Sequence, residues 1–142
     1  MPTTKMGFEG RIYVGGTGST AATLLENVKD IAYNLDIEKG DTTVRGDSTT
    51  VPIKTEDPTL RTVSIEWTMI NDTTDANYEA LRVAAAAGSA KAIRTKDHAT
   101  GKGFDGDCSL SMQNGMPLAG EQTTQFTATP SRGYGRPPQL YV

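Results

Sequence analysis

The amino-acid sequence predicts a mainly β, antiparallel fold with a single helix, and three observations carry that prediction. Residues 62–70 alternate polar and apolar side chains, with Val63, Ile65, Trp67 and Met69 on one side; a period of two marks a strand with one buried face. Residues 28–38 repeat the pattern, Ile31, Tyr33, Leu35 and Ile37 alternating with Ala32, Asn34, Asp36 and Glu38. Only residues 75–87 read as a convincing helix, which Thr74 or Asp75 can cap and Gly88 can end. The polar faces of these strands consist of Asn, Asp, Glu, Ser and Thr, as in antiparallel sheets with one wet face.

Taken in order, residues 1–10 show no period and form an arm. Residues 11–14 make a short strand closed by Gly15 and Gly16, and 17–27 form a loop with room for one helical turn at 21–26. The long strand from Val28 ends at the turn signal Gly40-Asp41. Residues 42–61, rich in Thr, Asp and Pro, hold only Val44, Val51 and Ile53 as large apolar side chains before Leu60. They read as a long loop with a weak hairpin, and loops of that length in a compact domain are usually functional or mobile. After the central strand and helix come strands at 92–95, at 104–112 with Phe104, Cys108, Leu110 and Met112 on one face, and at 122–129 with Phe126 and Ala128 inward. Residues 131–142 form an extended arm. In the core this predicts, Val63, Ile65, Trp67 and Met69 pack with Ile31, Tyr33, Leu35 and Ile37 beneath Tyr78, Leu81 and Ala85.

The 142 residues fit one domain. A net charge of −3 argues against affinity for nucleic acid, which needs a basic face. A mean hydropathy of −0.43 and the lack of a long apolar run exclude a membrane-spanning helix. The start carries no apolar signal segment, and Cys108 is alone, so it reads as a small core residue of a protein made in a cytosol.

No motif supports enzyme chemistry. Gly16-Thr17-Gly18-Ser19-Thr20-Ala21 fits a dinucleotide-binding pattern, but no long helix follows and the next strand alternates where a parallel core strand would be apolar throughout. Gly101-Lys102-Gly103 lacks the rest of a phosphate loop, and Asn71-Asp72-Thr73 reads as the loop before a helix. His98 is the single histidine, and with one cysteine it cannot complete a zinc site. Asp105 and Asp107 share one side of a strand, and a solvated polar face is the simplest account of them. No cofactor or metal is expected.

The order of these segments resembles the tail tube (major tail) proteins of long-tailed bacteriophages. Asn27-Val28-Lys29-Asp30-Ile31 leads a long amphipathic strand, and Arg45-Gly46-Asp47 sits in the long loop. Ser64-Ile65-Glu66-Trp67 precedes the helix Asp75-Ala76-Asn77-Tyr78-Glu79-Ala80-Leu81, and Phe126-Thr127-Ala128-Thr129-Pro130 closes the match. The resemblance spans residues 6–130 and implies a β-sandwich or partial barrel flanked by one helix. It implies a structural, non-enzymatic virion protein, made in the host bacterial cytoplasm, that self-assembles into rings, usually hexameric, stacked into a tube for DNA. Partners would be further copies and the tape measure, tail terminator and tail tip proteins, with no membrane. Asn34, Asp36, Glu38, Ser64, Glu66 and Thr68 would then line the channel, and Arg45, Gly46 and Asp47 would contact the next ring. Two alternatives stand beside this reading: a tube subunit of a contractile injection or secretion system, and a monomeric β-sandwich adhesion module using Arg45-Gly46-Asp47.

Overall fold

Alternation of side chains becomes a sheet once the backbone groups find partners. In the computed structural model, which describes residues 4–44, 51–133 and 135–142, a short 3-10 turn at Gly7–Glu9 leads into β1 (Arg11–Gly15). Then come β2 (Thr23–Leu24), β3 (Val28–Asp41), β4 (Glu56–Ile70), α1 (Ala76–Ala87), β5 (Ala90–Lys96), β6 (Asp105–Gly115) and β7 (Thr123–Pro130). The strands form one seven-stranded sheet in the order β2-β1-β5-β6-β7-β4-β3, a single sheet where the resemblance also allowed a two-sheet sandwich. Each pair of known register, β1 with β2 and β5, β6 with β5 and β7, and β4 with β7, is antiparallel.

The chain divides into two units, one of Met1–Tyr33 with Ser64–Val142, the other Asn34–Val63. In the first, Ile65, Trp67 and Met69 lie opposite Ala128, Phe126 and Thr124 on β7, and all six are buried. Opposed residues share a face, so this face is the core, continued by Ile12, Val14, Ile93 and Cys108. Helix α1 packs on it: Tyr78, Leu81 and Ala84 are buried, and Ala84 takes the place expected of the half-buried Ala85. The Tyr78 ring meets Phe126 edge-on with centroids 6.0 Å apart, and Trp67 stacks on Phe126 at 5.6 Å. The Tyr78 hydroxyl and the Thr124 hydroxyl hydrogen-bond at 2.9 Å inside the core. Both helix ends follow their residues. The Asp75 carboxylate accepts the Asn77 N–H at 3.0 Å, and Gly88, at φ 71°, lets the Ser89 N–H reach the Ala84 carbonyl.

The second unit is a hairpin. The Thr42 N–H donates to the Thr55 carbonyl at 3.0 Å, and the Thr59 hydroxyl donates to the Glu38 carbonyl at 3.2 Å. The expected loop of residues 42–61 is therefore shorter, since β4 begins at Glu56. Residues 56–62 are exposed throughout, so no buried face imposes a period of two on them, and Pro58 is accommodated where β4 has no pairing with β7.

Three further expectations are corrected. Residues 21–26 hold the short strand β2, with no helical turn. Tyr33, Leu35 and Ile37 are 36%, 44% and 41% exposed in the single chain, outside the core they were expected to join, and Ile31 is half-buried. Asp105 and Asp107 are buried.

Candidate functional site

The face of the sheet turned away from α1 carries the polar half of the alternation. On β4 it holds Ser64, Glu66 and Thr68, each half-buried. Register extends it across two more strands. Glu66 lies opposite Thr127, which lies opposite Ser111; Thr68 lies opposite Gln125, which lies opposite Gln113; and Thr129 lies opposite Ser109. Ser109, Ser111, Gln113, Gln125 and Thr129 are exposed. These rows form a wall of hydroxyls and amides whose one charge, on Glu66, is negative, and no lysine or arginine stands in them. Such a surface offers phosphates no cation to bind. Sequence reasoning found the β4 members and missed those on β6 and β7. Their own alternation was visible, but only the register shows that they continue the same rows.

In the second unit Asn34, Asp36 and Glu38 are all exposed on β3. So are Leu35 and Ile37 between them, and Leu60 on β4 is 63% exposed. A two-stranded hairpin wet on both faces is marginal by itself, and this one carries apolar side chains that a partner would cover. Arg45, Gly46 and Asp47 lie outside the described residues.

The wall ends at a buried ion cluster. Asp105 and Asp107 continue the polar side of β6, yet the C-terminal segment closes over them. Arg136 donates through Nη1 to Asp105 at 2.8 Å and through Nη2 to Asp107 at 3.1 Å. The Gly18 N–H donates to both oxygens of Asp107 at 3.1 and 3.2 Å, and the Thr20 hydroxyl donates to Asp105 at 3.3 Å. Burial by itself would lower the Arg136 guanidinium, but its bonds to the two carboxylates outweigh that and raise it. The Gly16–Ala21 motif is thus tied to the sheet by its backbone, and the C-terminal arm is part of the fold. Gln139 exchanges both backbone bonds with Asp105, and Val142 does so with Gly103. Beside the cluster, the Cys108 thiol is pushed up to about 12, first by burial and then by the charges of Asp107 and Asp105, against the opposing pull of Arg136.

Among the described residues no helix is long and apolar enough to cross a membrane, and no group of three His, Cys, Asp or Glu side chains is placed to hold a metal ion. No family model and no curated protein sequence matches the chain. Solved structures do. A chain from the tail of an empty gene transfer agent particle, refined with C6 symmetry, matches with a TM-score of 0.76 at 15% identity, over 98% of this chain and all of that one. A chain of the native gene transfer agent virion matches at 0.71 and 12% identity, over 98% of this chain and 99% of that one. The SPP1 tail tube matches at 0.66 and 12% identity, over 96% of this chain and 80% of that one. At these identities the likeness establishes the fold: this chain has the fold of tail tube proteins.

Proposed function

We propose that the chain is a structural subunit of a phage-type tail tube, in which copies join side by side into six-membered rings and the rings stack around a channel that passes DNA. The observation that carries the reading is the helix-free polar wall of Glu66, Thr68, Ser111, Gln113, Gln125 and Thr127, on a chain with the tail tube fold. On this reading the wall faces the bore. Its hydroxyls and amides keep it wetted, and its negative charge repels phosphate, so DNA slides without being held. Helix α1 then sits on the outer side. Asn34, Asp36 and Glu38 would also face the channel in this reading, and Arg45, Gly46 and Asp47 would contact the next ring.

Ring formation also answers the problem of edges. β3 and β2 end the sheet, and an unpaired edge invites association. A head-to-tail contact whose rotation closes at six copies pairs every edge and leaves none free. The subunit acts without chemistry of its own in the virion tail, with the tape measure, tail terminator and tail tip proteins as its further partners, after synthesis in the host cytoplasm.

The test is Glu66→Lys combined with Glu38→Lys in assembled particles. Tubes of normal length that eject DNA more slowly, with the delay relieved by added salt, support the acidic bore. Ejection at the unaltered rate refutes it.

A further inference from the structure

We infer that a cleft in the first unit is a binding site for a small phosphate monoester with an apolar or aromatic body, its phosphate held between Arg11 and Lys96. The cleft encloses about 660 Å³, within the usual range for small-molecule sites. It lies where β1 begins and β5 ends, and β3 adds Ile31 and Tyr33 to its lining. All of its lining residues belong to one copy of the chain, so the site does not depend on assembly into a tube.

Charge selects the head of the ligand. Arg11 lies directly opposite Lys96 on the neighbouring strand, and like charges so placed repel at close range. An anion between them turns that repulsion into two attractions. Neither cation forms an ion pair among the described residues. The Arg11 Nε is buried with no hydrogen-bond partner, and the Lys96 Nζ rests over the Tyr13 ring, 5.2 Å from its centre. A guanidinium part-removed from water with an idle donor is costly unless an acceptor arrives. The cleft also holds Lys29 and Lys102 with Glu26 and Asp97, so four cations stand against two carboxylates, a net charge of +2. Lys29 is taken up by Glu121, and Asp97 by His98, whose Nδ1 lies 2.7 Å from its Oδ1. A phosphate monoester carries about two negative charges at neutral pH, and its free oxygens can meet the Arg11 fork and the Lys96 ammonium together. A carboxylate, with a single charge, satisfies the fork alone.

The rest of the lining selects the body. Ile12 and Leu25 are buried and Ile31 is half-buried, which gives the cleft an apolar part beside its cations. The rings of Phe8 and Tyr33 also line it, and both are exposed, Phe8 at 86%. An aromatic or aliphatic group of the ligand covers that surface and removes it from water. Apolar side chains next to a cation pair recognise an amphipathic anion, whereas inorganic phosphate gains only from the charges.

The experiment is a calorimetric titration of the purified, unassembled chain with phenyl phosphate, inorganic phosphate and benzoate. Phenyl phosphate is expected to bind about tenfold more tightly than either of the others, since it alone offers both the dianion and the ring. Arg11→Gln should weaken that binding by about tenfold or more, and Lys96→Gln should act in the same direction. Arg82→Gln, on α1 and outside the cleft, should leave it unchanged. Without ligand, Arg11→Gln should melt no lower than the parent, because it relieves the repulsion between Arg11 and Lys96. No binding of phenyl phosphate overturns the inference, as does binding that Arg11→Gln leaves at the parent level. Benzoate binding as tightly as phenyl phosphate overturns the assignment to a phosphate ester. An unliganded Arg11→Gln that melts well below the parent shows that the guanidinium serves the fold, and also overturns the inference. Each of these results leaves the tube reading standing, since that is decided by assembly.

Discussion

Replacing Arg136 by methionine removes the cation that two buried carboxylates share. The Asp107 side chain is 0% exposed and that of Asp105 4%, and Arg136 itself is 18% exposed. After the substitution Asp107 keeps the Gly18 N–H and Asp105 keeps the Thr20 hydroxyl, neither of which carries charge. Breaking a buried pair by deleting one partner costs about 3–5 kcal/mol, because the remaining charge stays desolvated. Here two carboxylates lose one shared partner, while some water can reach the vacated position, so about 4 kcal/mol is the working value. For a domain of this size that is a fall in melting temperature on the order of 10 °C. The assay is thermal unfolding of the unassembled chain by circular dichroism. The companion variant Asp105→Asn, Asp107→Asn, Arg136→Met removes all three charges and should recover at least half of the loss, since neutral amides cost less to bury unpaired than carboxylates. An Arg136→Met melt within about 2 °C of the parent, roughly half a kcal/mol, would refute the argument that the ion cluster holds the C-terminal arm.

Three further predictions rest on single contacts. Tyr78→Phe deletes the buried hydroxyl pair with Thr124 and should cost about 1–2 kcal/mol in a denaturant titration, with no change of fold. Gly88→Ala meets no atom within 4 Å but forces a Cβ onto φ +71°, so a loss of about 1 kcal/mol is expected in the same titration. Cys108, its thiol pushed up to about 12, should stay unlabelled by iodoacetamide in the folded chain at about pH 8.5, where an ordinary cysteine is half ionised, and should react on unfolding.

What could be read from the sequence was whatever a buried face imprints on it. Ile65, Trp67 and Met69 alternate with polar residues because one side of β4 is buried opposite Ala128, Phe126 and Thr124, and the ends of α1 follow from Asp75 and Gly88. Residues 56–62 carry no such imprint, since both faces of that stretch are wet, and so the start of β4 could not be seen. Leu35 and Ile37 alternate as cleanly as core residues do, yet the single chain leaves them exposed; a pattern shows that a face seeks cover without showing what supplies it. The ion cluster was hidden for another reason. Arg136 lies 31 residues from Asp105 and 29 from Asp107, and only the closure of the C-terminal arm onto β6 joins them, so the two aspartates look like any solvated pair. The polar wall was half legible: each strand announced its own wet side, and the sheet order β6-β7-β4 merged the three into one surface.

The orientation of that surface in the assembled state is the most direct test of the account. A cryo-electron microscopy reconstruction of tubes grown from the purified chain, at a resolution that places side chains, should put Glu66, Thr68, Gln113 and Gln125 at the wall of the bore and α1 on the outside of a six-fold ring. A ring with α1 toward the bore, or with the wall buried between neighbouring subunits, would contradict it.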